Sequence, residues 1–435
     1  MDKAFVALLR TTALAGSMCG FGLSPPAYAQ SMTDLGTFGG TLAYAYSVSA
    51  DGSVIVGRSY IAGDAAEHAF KYVGTTMMYL GTLGGLNSSA RGVSADGSVI
   101  VGYSDTAVLG ETHAFAWRAG KMIDLPETSA DLARSANNIR NTIALRTSSI
   151  ALMMDYDCRA FGQHNTCVSF GGRYGDLKAS TNEGAGILTL AYRLSPGVRI
   201  GAFIDHRVTQ SKPAGINYSD DTPSIGTFVA YDDRGNGTGM QGKLTAVYNT
   251  GKVGVTRLAS SANTEAGSGR SSLTSYAVGA ELGWGFKVNE GWVATPYAGL
   301  KHTSSKLGSY AESKTGSVEF PISYADYGQR LTTATAGARI DGRMTERVSL
   351  ALAAGVERDL RSTMDAYAGT SDMPVLTSFA LSTNANSNRS RMTGSAALSY
   401  QIAAHQRVTA GMHVRENAFV TQPTRTAQMT YEMAF

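Results

Sequence analysis

Cys158 and Cys167 bracket the loop CRAFGQHNTC, and in an exported chain two thiols so spaced can close a small ring by oxidation. A metal reading would need a fourth ligand beside the two thiols and His164, so a disulfide is the favoured chemistry and no metal site is expected. The other reactive groups recur instead of converging. His68 and His113, with Glu67, Glu111, Asp51 and Asp96, stand at equivalent places of a repeated unit. A catalytic cleft combines different groups, whereas a structural part repeats the same ones, and these are read as structural. Asp205 and His206 are adjacent in a strand pattern and point to opposite faces, which spoils them as an acid–base dyad. The repeat carries no G-x-S-x-G, H-E-x-x-H or phosphate loop. No catalytic residue or cofactor is expected, and the chain is not read as an enzyme.

The elements that carry these residues follow from composition and period. Of 435 residues only 16% are charged, 50 are Gly, and the net charge of +3 comes from scattered Lys and Arg, which gives a nucleic acid no basic stripe. The N-terminus, MDKAFVALLRTTALAGSMCGFGLSPPAYAQ, has Lys3 and Arg10, a small apolar stretch from 11 to 23, and an Ala27-Tyr28-Ala29 site. It reads as a signal peptide, residues 1–29, cut between Ala29 and Gln30. Cys19 falls within it.

Residues 34 to 123 contain one unit written twice with a period of 45: LGTFGG at 35 returns as LGTLGG at 80, SADGSVIVG at 49 returns at 94, and HAF at 68 returns at 113. That is the length of one four-stranded propeller blade, and each Asp-Gly supplies a tight turn before a strand. The unit resembles the HAF repeats of exported bacterial surface proteins. MTDL at 32, MMYL at 77 and MIDL at 122 suggest an opening strand written a third time. The passenger domain is therefore set at 30–125, a small propeller-like β-repeat of two units plus the start of a third. Two units cannot close a propeller ring.

From 127 to 155 Gly and Pro are absent, and Leu132, Ala136, Ile139, Ile143, Ile150 and Met153 form a helical stripe. Arg134, Arg140 and Arg146 rule out lipid contact, so the segment 126–155 is read as a helix in a hydrated pore. Beyond it the period becomes two. In TAQMTYEMAF, Ala427, Met429, Tyr431, Met433 and Phe435 share one face, opposite Gln428, Thr430 and Glu432. Eleven similar segments precede it: 168–178, 185–195, 198–210, 222–233, 239–258, 271–288, 292–306, 329–343, 347–360, 390–402 and 406–417. They exceed the usual soluble strand and fit a tilted membrane strand. Short connections alternate with long loops at 307–328 and 361–389, while 234–238 is ambiguous. Trp284 and Trp292 flank one short turn, as an interfacial girdle would. The fold expected is all-β, a 12-stranded antiparallel transmembrane β-barrel over 156–435 with a pore-spanning α-helix.

In this order of parts the chain resembles a monomeric autotransporter of Gram-negative bacteria, carried by CVSFGGRYGD at 167–176, VATPYAGLKHT at 293–303 and the terminal alternation. The resemblance implies insertion into outer-membrane lipid by the barrel assembly machinery with periplasmic chaperones, and a recognition signal at Tyr431, Met433 and Phe435. It implies a passenger exposed at the cell surface, adhesive in some members, toward a ligand the residues do not identify. Some members release the passenger through an Asn in the pore helix. That role would fall to Asn137 and Asn138, expected inside the pore, although so short a passenger favours retention. The rival readings are a porin-like channel and a barrel or passenger hydrolase, and the loops 307–328 and 361–389 offer the latter no His.

Overall fold

The computed structural model describes residues 32–178, 181–219, 222–315, 317–374, 376–382 and 389–435. The signal-cleavage pair Ala29 and Gln30 lies outside them. Each copy of the repeat folds as a four-stranded antiparallel meander. The first is β1 (Gly39–Val48), β2 (Val54–Ile61), β3 (Glu67–Val73) and β4 (Thr76–Tyr79); the second is β5 (Gly84–Val93), β6 (Ile100–Thr106), β7 (Thr112–Arg118) and β8 (Lys121–Asp124). The Asp-Gly turns are built alike. The Ser49 hydroxyl donates to Asp51 Oδ1 at 2.7 Å, the Ser53 N–H to the same oxygen at 3.0 Å, and Gly52 sits at φ 76°. In the second unit the Ser94 hydroxyl and the Ser98 N–H donate to Asp96 at 2.5 and 3.1 Å, with Gly97 at φ 72°. A side chain other than glycine is strained at those angles.

The sequence reading of a third unit is corrected. MMYL and MIDL fall in β4 and β8, the closing strands of their sheets, and β8 pairs with β7 from Phe115↔Asp124 to Arg118↔Lys121. Ala119 and Gly120, both at positive φ, turn the chain straight back on itself. The two sheets stack through Val54, Val56, Ala69 and Leu80 of the first and Ile100, Phe115, Trp117 and Met122 of the second. The other face of the second sheet packs Val99, Ala116 and Ile123 against Phe320 and Met373 of the barrel's long loops.

Asp124 ends β8 and caps α1 (Leu125–Met153), its carboxylate accepting the Glu127 N–H at 2.9 Å with Pro126 in the first turn. All six residues of the expected apolar stripe are buried. The remaining strands are β9 (Thr166–Lys178), β10 (Thr181–Ser195), β11 (Val198–Ser211), β12 (Ile216–Tyr218), β13 (Ser224–Asp232), β14 (Gly239–Thr256), β15 (Ser268–Asn289) and β16 (Trp292–Leu307). They continue as β17 (Tyr310–Ala311), β18 (Ser323–Tyr324), β19 (Tyr327–Arg343), β20 (Val348–Met364), β21 (Tyr367–Thr370), β22 (Ser378–Leu381), β23 (Ser390–Ala403), β24 (Gln406–Arg415) and β25 (Thr424–Ala434).

The twelve long strands, β9, β10, β11, β13 to β16, β19, β20 and β23 to β25, pair antiparallel in chain order, and β25 closes on β9 from Arg425↔Asp176 to Ala434↔Cys167. Closure leaves no open edge among them, as lipid demands. Alternation sorts the side chains. Leu188, Leu190, Ile200, Ile204, Leu282 and Met429 are exposed on the outer wall, whereas Arg173, Glu183, Asp205 and Arg391 are buried inside. Trp284, Phe286 and Tyr400 stand exposed toward the short-turn end, an aromatic girdle. Among the described residues no helix is long and apolar enough to cross a membrane; the strands do so.

The ambiguous connection at 234–238 joins the short-turn end, since the Asp232 N–H donates to the Gly197 carbonyl at 2.8 Å. At the other end the expected loops 307–328 and 361–389 contribute a further small sheet, ordered β17-β18-β21-β22. Its rings stack, Tyr310 on Tyr324 at 4.6 Å and Tyr324 on Tyr367 at 5.1 Å, and they pack with Leu132, Ile139 and Ile143 of α1.

Candidate functional site

The site is the barrel lumen with α1 inside it. From Arg146 to Ser149 the helix exposes four polar side chains in succession, and each meets the wall. Arg146 Nη2 donates to Asn249 at 2.5 Å, the Thr147 hydroxyl to Ser305 at 3.0 Å, the Ser148 hydroxyl to Asn417 at 2.6 Å and the Ser149 hydroxyl to Glu183 at 2.6 Å. Gln329 adds a donor to Thr147. The belt rings the helix from β10, β14, β16 and β19 and from the segment after β24.

Arg173 of β9 joins this belt to the lower lumen. Its Nε reaches Asp205 Oδ2 at 2.6 Å, and its Nη2 reaches Asp205 Oδ1 at 2.9 Å and Glu183 at 2.8 Å. The Tyr156 hydroxyl, beyond the helix end, donates to the same Asp205 at 2.7 Å. Buried charges cost several kcal/mol to desolvate and persist where geometry and hydrogen bonds offset that cost; a bidentate guanidinium fork does so. A second lattice lies across the lumen. Arg391 holds Asp359 at 2.8 Å, and Glu357 takes Arg415 at 3.0 Å and Lys301 at 3.0 Å. Lower still, Arg199 grips Asp157 at 3.0 and 2.5 Å, and Lys243 donates to the Tyr156 carbonyl at 2.7 Å.

Below the belt Ile150, Met153 and Met154 pack on Ile187, Phe203, Phe228 and Val247 from one side of the wall. The fit is close: a Cβ at Gly279 would come within 2.1 Å of Met154 Cε. On the other side a cavity of about 460 Å³ remains, lined by Asp155, Glu281, Arg339, Asp341, Arg407 and Glu432 among others. The lumen is thus sealed by packing and fixed dipoles at the belt and left as a polar cavity beneath it. Each carboxylate of the two lattices is already held by a cation, an arrangement suited to positioning an element.

Cys158 and Cys167 are bonded to each other. Glu432 lies near the two sulfurs, but a disulfide offers no thiolate to a metal. The loop between them holds the last residue. The Phe435 carbonyl accepts from the N–H groups of Gly162, His164 and Thr166 at 3.1, 3.0 and 3.4 Å, and the Phe435 N–H donates to the Thr166 carbonyl at 2.9 Å. Tyr431 faces outward against Phe170 of β9 with ring centroids 5.1 Å apart, Met433 is half-buried on the same face, and Phe435 is exposed. Gln428, Thr430 and Glu432 line the lumen cavity.

The structure places Asn137 and Asn138 away from the belt, correcting their expected depth. Asn137 is exposed, and the Asn138 amide donates at 3.0 Å to the Ala214 carbonyl in the long-loop connection after β11. Ten residues of helix separate Asn138 from Ser148, about 15 Å of rise. The repeat histidines differ in surroundings. His113 Nδ1 meets Asp124 Oδ2 at 2.7 Å, tying the second sheet to the cap of α1, and this hydrogen bond raises its pKa against desolvation. His68 stacks on Tyr79 at 4.4 Å, and burial lowers its pKa. Asp205 is buried while His206 is exposed on the opposite face.

Sequence reasoning did not single out Arg173, Glu183, Asp359 or Arg391. The available signal was parity: each is a charge on the face opposite the apolar one in a strand of period two.

The autotransporter beta-domain family matches residues 158–414, more than half of the chain. Among solved structures, the translocator domain of autotransporter NalP from Neisseria meningitidis is similar at 15% identity and a TM-score of 0.49, covering 70% of this chain and 98% of that one. The beta domain of the Bordetella autotransporter Brka gives 12% identity and a TM-score of 0.38, with 62% and 99% covered. The Ralstonia pickettii toluene transporter TbuX gives 10% and 0.37, with 66% and 94% covered. No curated protein matches the chain in sequence. With a family match running through the closed twelve-stranded wall and a single helix held inside it, the chain belongs to the autotransporter beta-domain family of outer-membrane barrels.

Proposed function

We propose that the barrel carries its two-sheet repeat domain across the outer membrane and keeps it attached at the cell surface, with α1 remaining in the pore as a plug. One observation carries this reading: α1 runs from Asp124, at the edge of the second repeat sheet, down through the polar belt of the lumen to the disulfide loop. Retention is favoured over release because Asn138 is spent on a loop carbonyl and Asn137 faces solvent. Barrel assembly machinery and periplasmic chaperones would act before β25 meets β9, reading Tyr431, Met433 and Phe435. The display is adhesive and not catalytic in this reading. Tyr44, Tyr46 and Tyr103 interleave with Arg58 and Arg91 on the repeat surface, Arg91 lying 4.1 Å from the Tyr46 ring and 5.0 Å from the Tyr103 ring, and such a ladder suits contact with a polar surface.

An epitope tag near residue 60 and protease added to intact cells test the display. Cleavage of the tag in intact cells is expected. A tag protected outside and cut only after lysis would overturn the reading.

A further inference from the structure

The outer wall is not uniform at its long-loop end. On adjacent strands β16, β19 and β20, His302, Lys306, Arg330, Arg358 and Arg361 occupy outward positions, and Arg389 precedes the neighbouring β23 beside them. The register makes them neighbours. Ser304↔Arg330, His302↔Thr332↔Arg361 and Ala334↔Arg358↔Ser390 are directly paired across the sheet. Four strands span about 15 Å at ordinary spacing.

The local acids do not balance these cations. Asp326 takes Lys306 at 2.5 Å and Asp365 faces Arg330 at 3.4 Å, while the nearby Glu416 accepts the Met392 N–H at 2.8 Å. Arg358 donates to the Ser390 hydroxyl at 3.3 Å, and neither Arg358 nor Arg361 has a carboxylate partner among the described residues. On the same outward face Leu360 stands between Arg358 and Arg361, Leu300 is level with Arg358 across Ala334, and Val356 and Met392 pair just below; all four are exposed. On the far wall, β9 to β11 place Asp176, Asn182, Val208 and Thr209 outward instead.

We propose that this patch binds a phosphorylated glycolipid of the outer leaflet. A guanidinium pairs with phosphate through parallel N–H donors. The patch offers several such groups at the edge of apolar wall, matching an amphiphile whose acyl chains run along Leu300, Val356 and Met392. Its width suits a disaccharide with a phosphate at each end better than a single phosphodiester. The ligand would brace the wall beneath β17, β18, β21 and β22, the sheet on which the repeat domain rests.

The full chain, folded in detergent micelles, is incubated with diphosphoryl lipid A, monophosphoryl lipid A or cardiolipin, and the retained lipid is counted by native mass spectrometry. Wild type should retain diphosphoryl lipid A better than R330Q/R358Q/R361Q by about tenfold, or about twofold per lost contact. Heat-modifiable mobility verifies that each variant is folded. The far-side variant K212Q should bind as wild type, and R330K/R358K/R361K should bind in part. Equal retention by the folded glutamine variant, or equal retention of cardiolipin and diphosphoryl lipid A by wild type, would overturn the assignment. Neither outcome bears on whether the repeat domain reaches the surface.

Discussion

Arg173 shows what a single side chain does in this lumen. It is buried and joins Asp205, Glu183 and, through them, Tyr156 and Ser149. Arg173→Ala leaves two buried carboxylates uncompensated, and the loss should be about 3–5 kcal/mol. A lower urea midpoint for the refolded barrel is the measurement, and an unchanged midpoint would refute the role. His113 is different because an imidazole changes its charge in the physiological pH range. Its pKa is raised above 6.5 by the hydrogen bond to Asp124. The bond therefore contributes fully below pH 6.5 and is lost as pH rises through the folded-state value. Hydrogen-exchange protection at the start of α1, after correction for the intrinsic pH dependence of amide exchange, should be greater at about pH 5.5 than at about pH 8, and H113Q should remove the difference. In each Asp-Gly turn the Ser hydroxyl leads in holding Asp51 and Asp96 down at about 2. That contribution is present above pH 3.8 and is lost as pH falls toward 2.

At the scale of elements, α1 is legible in the sequence as an apolar stripe but not as a plug. The stripe names the buried residues. Where along the pore they sit depends on which strands carry Asn249, Ser305, Asn417 and Glu183, and those partners lie far away in the chain. Deleting 127–155 should raise single-channel conductance sharply in planar bilayers, and no change would argue against the plug. The disulfide closes a short loop, so C158S/C167S should lose about 2–3 kcal/mol by chain entropy. Thermal unfolding with and without reductant measures it. The small sheet β17-β18-β21-β22 was unreadable because strands of two to four residues carry too little period for detection.

For the whole molecule the decisive contact is the seam. β25 and β9 are the most distant strands in sequence, and their pairing is fixed by Tyr431 on Phe170 and by the disulfide loop around Phe435. Deleting Phe435 removes the donor to Thr166 and the acceptor for Gly162, His164 and Thr166. The variant should reach the outer membrane in lower yield with normal signal cleavage, assayed by immunoblot of membrane fractions. Normal insertion would refute the assignment. All twelve barrel strands were readable, because alternation over ten or more residues is set by lipid on one side and water on the other.

What the sequence by itself determined is local and periodic: twelve alternating strands, one helical stripe, two copies of a unit with Asp-Gly turns, and two cysteines close enough to join. Period two needs only the neighbours of a residue in the chain, and so does a turn. The tertiary structure alone decided which inward charges meet, that MIDL closes a sheet instead of opening one, that Asn137 and Asn138 stand above the belt, and that basic residues of three adjacent strands share one patch. Each of these depends on register between strands and on the depth at which the helix stops. Register and depth are fixed by closing the barrel around the helix, a condition on the whole chain that no short window of residues contains.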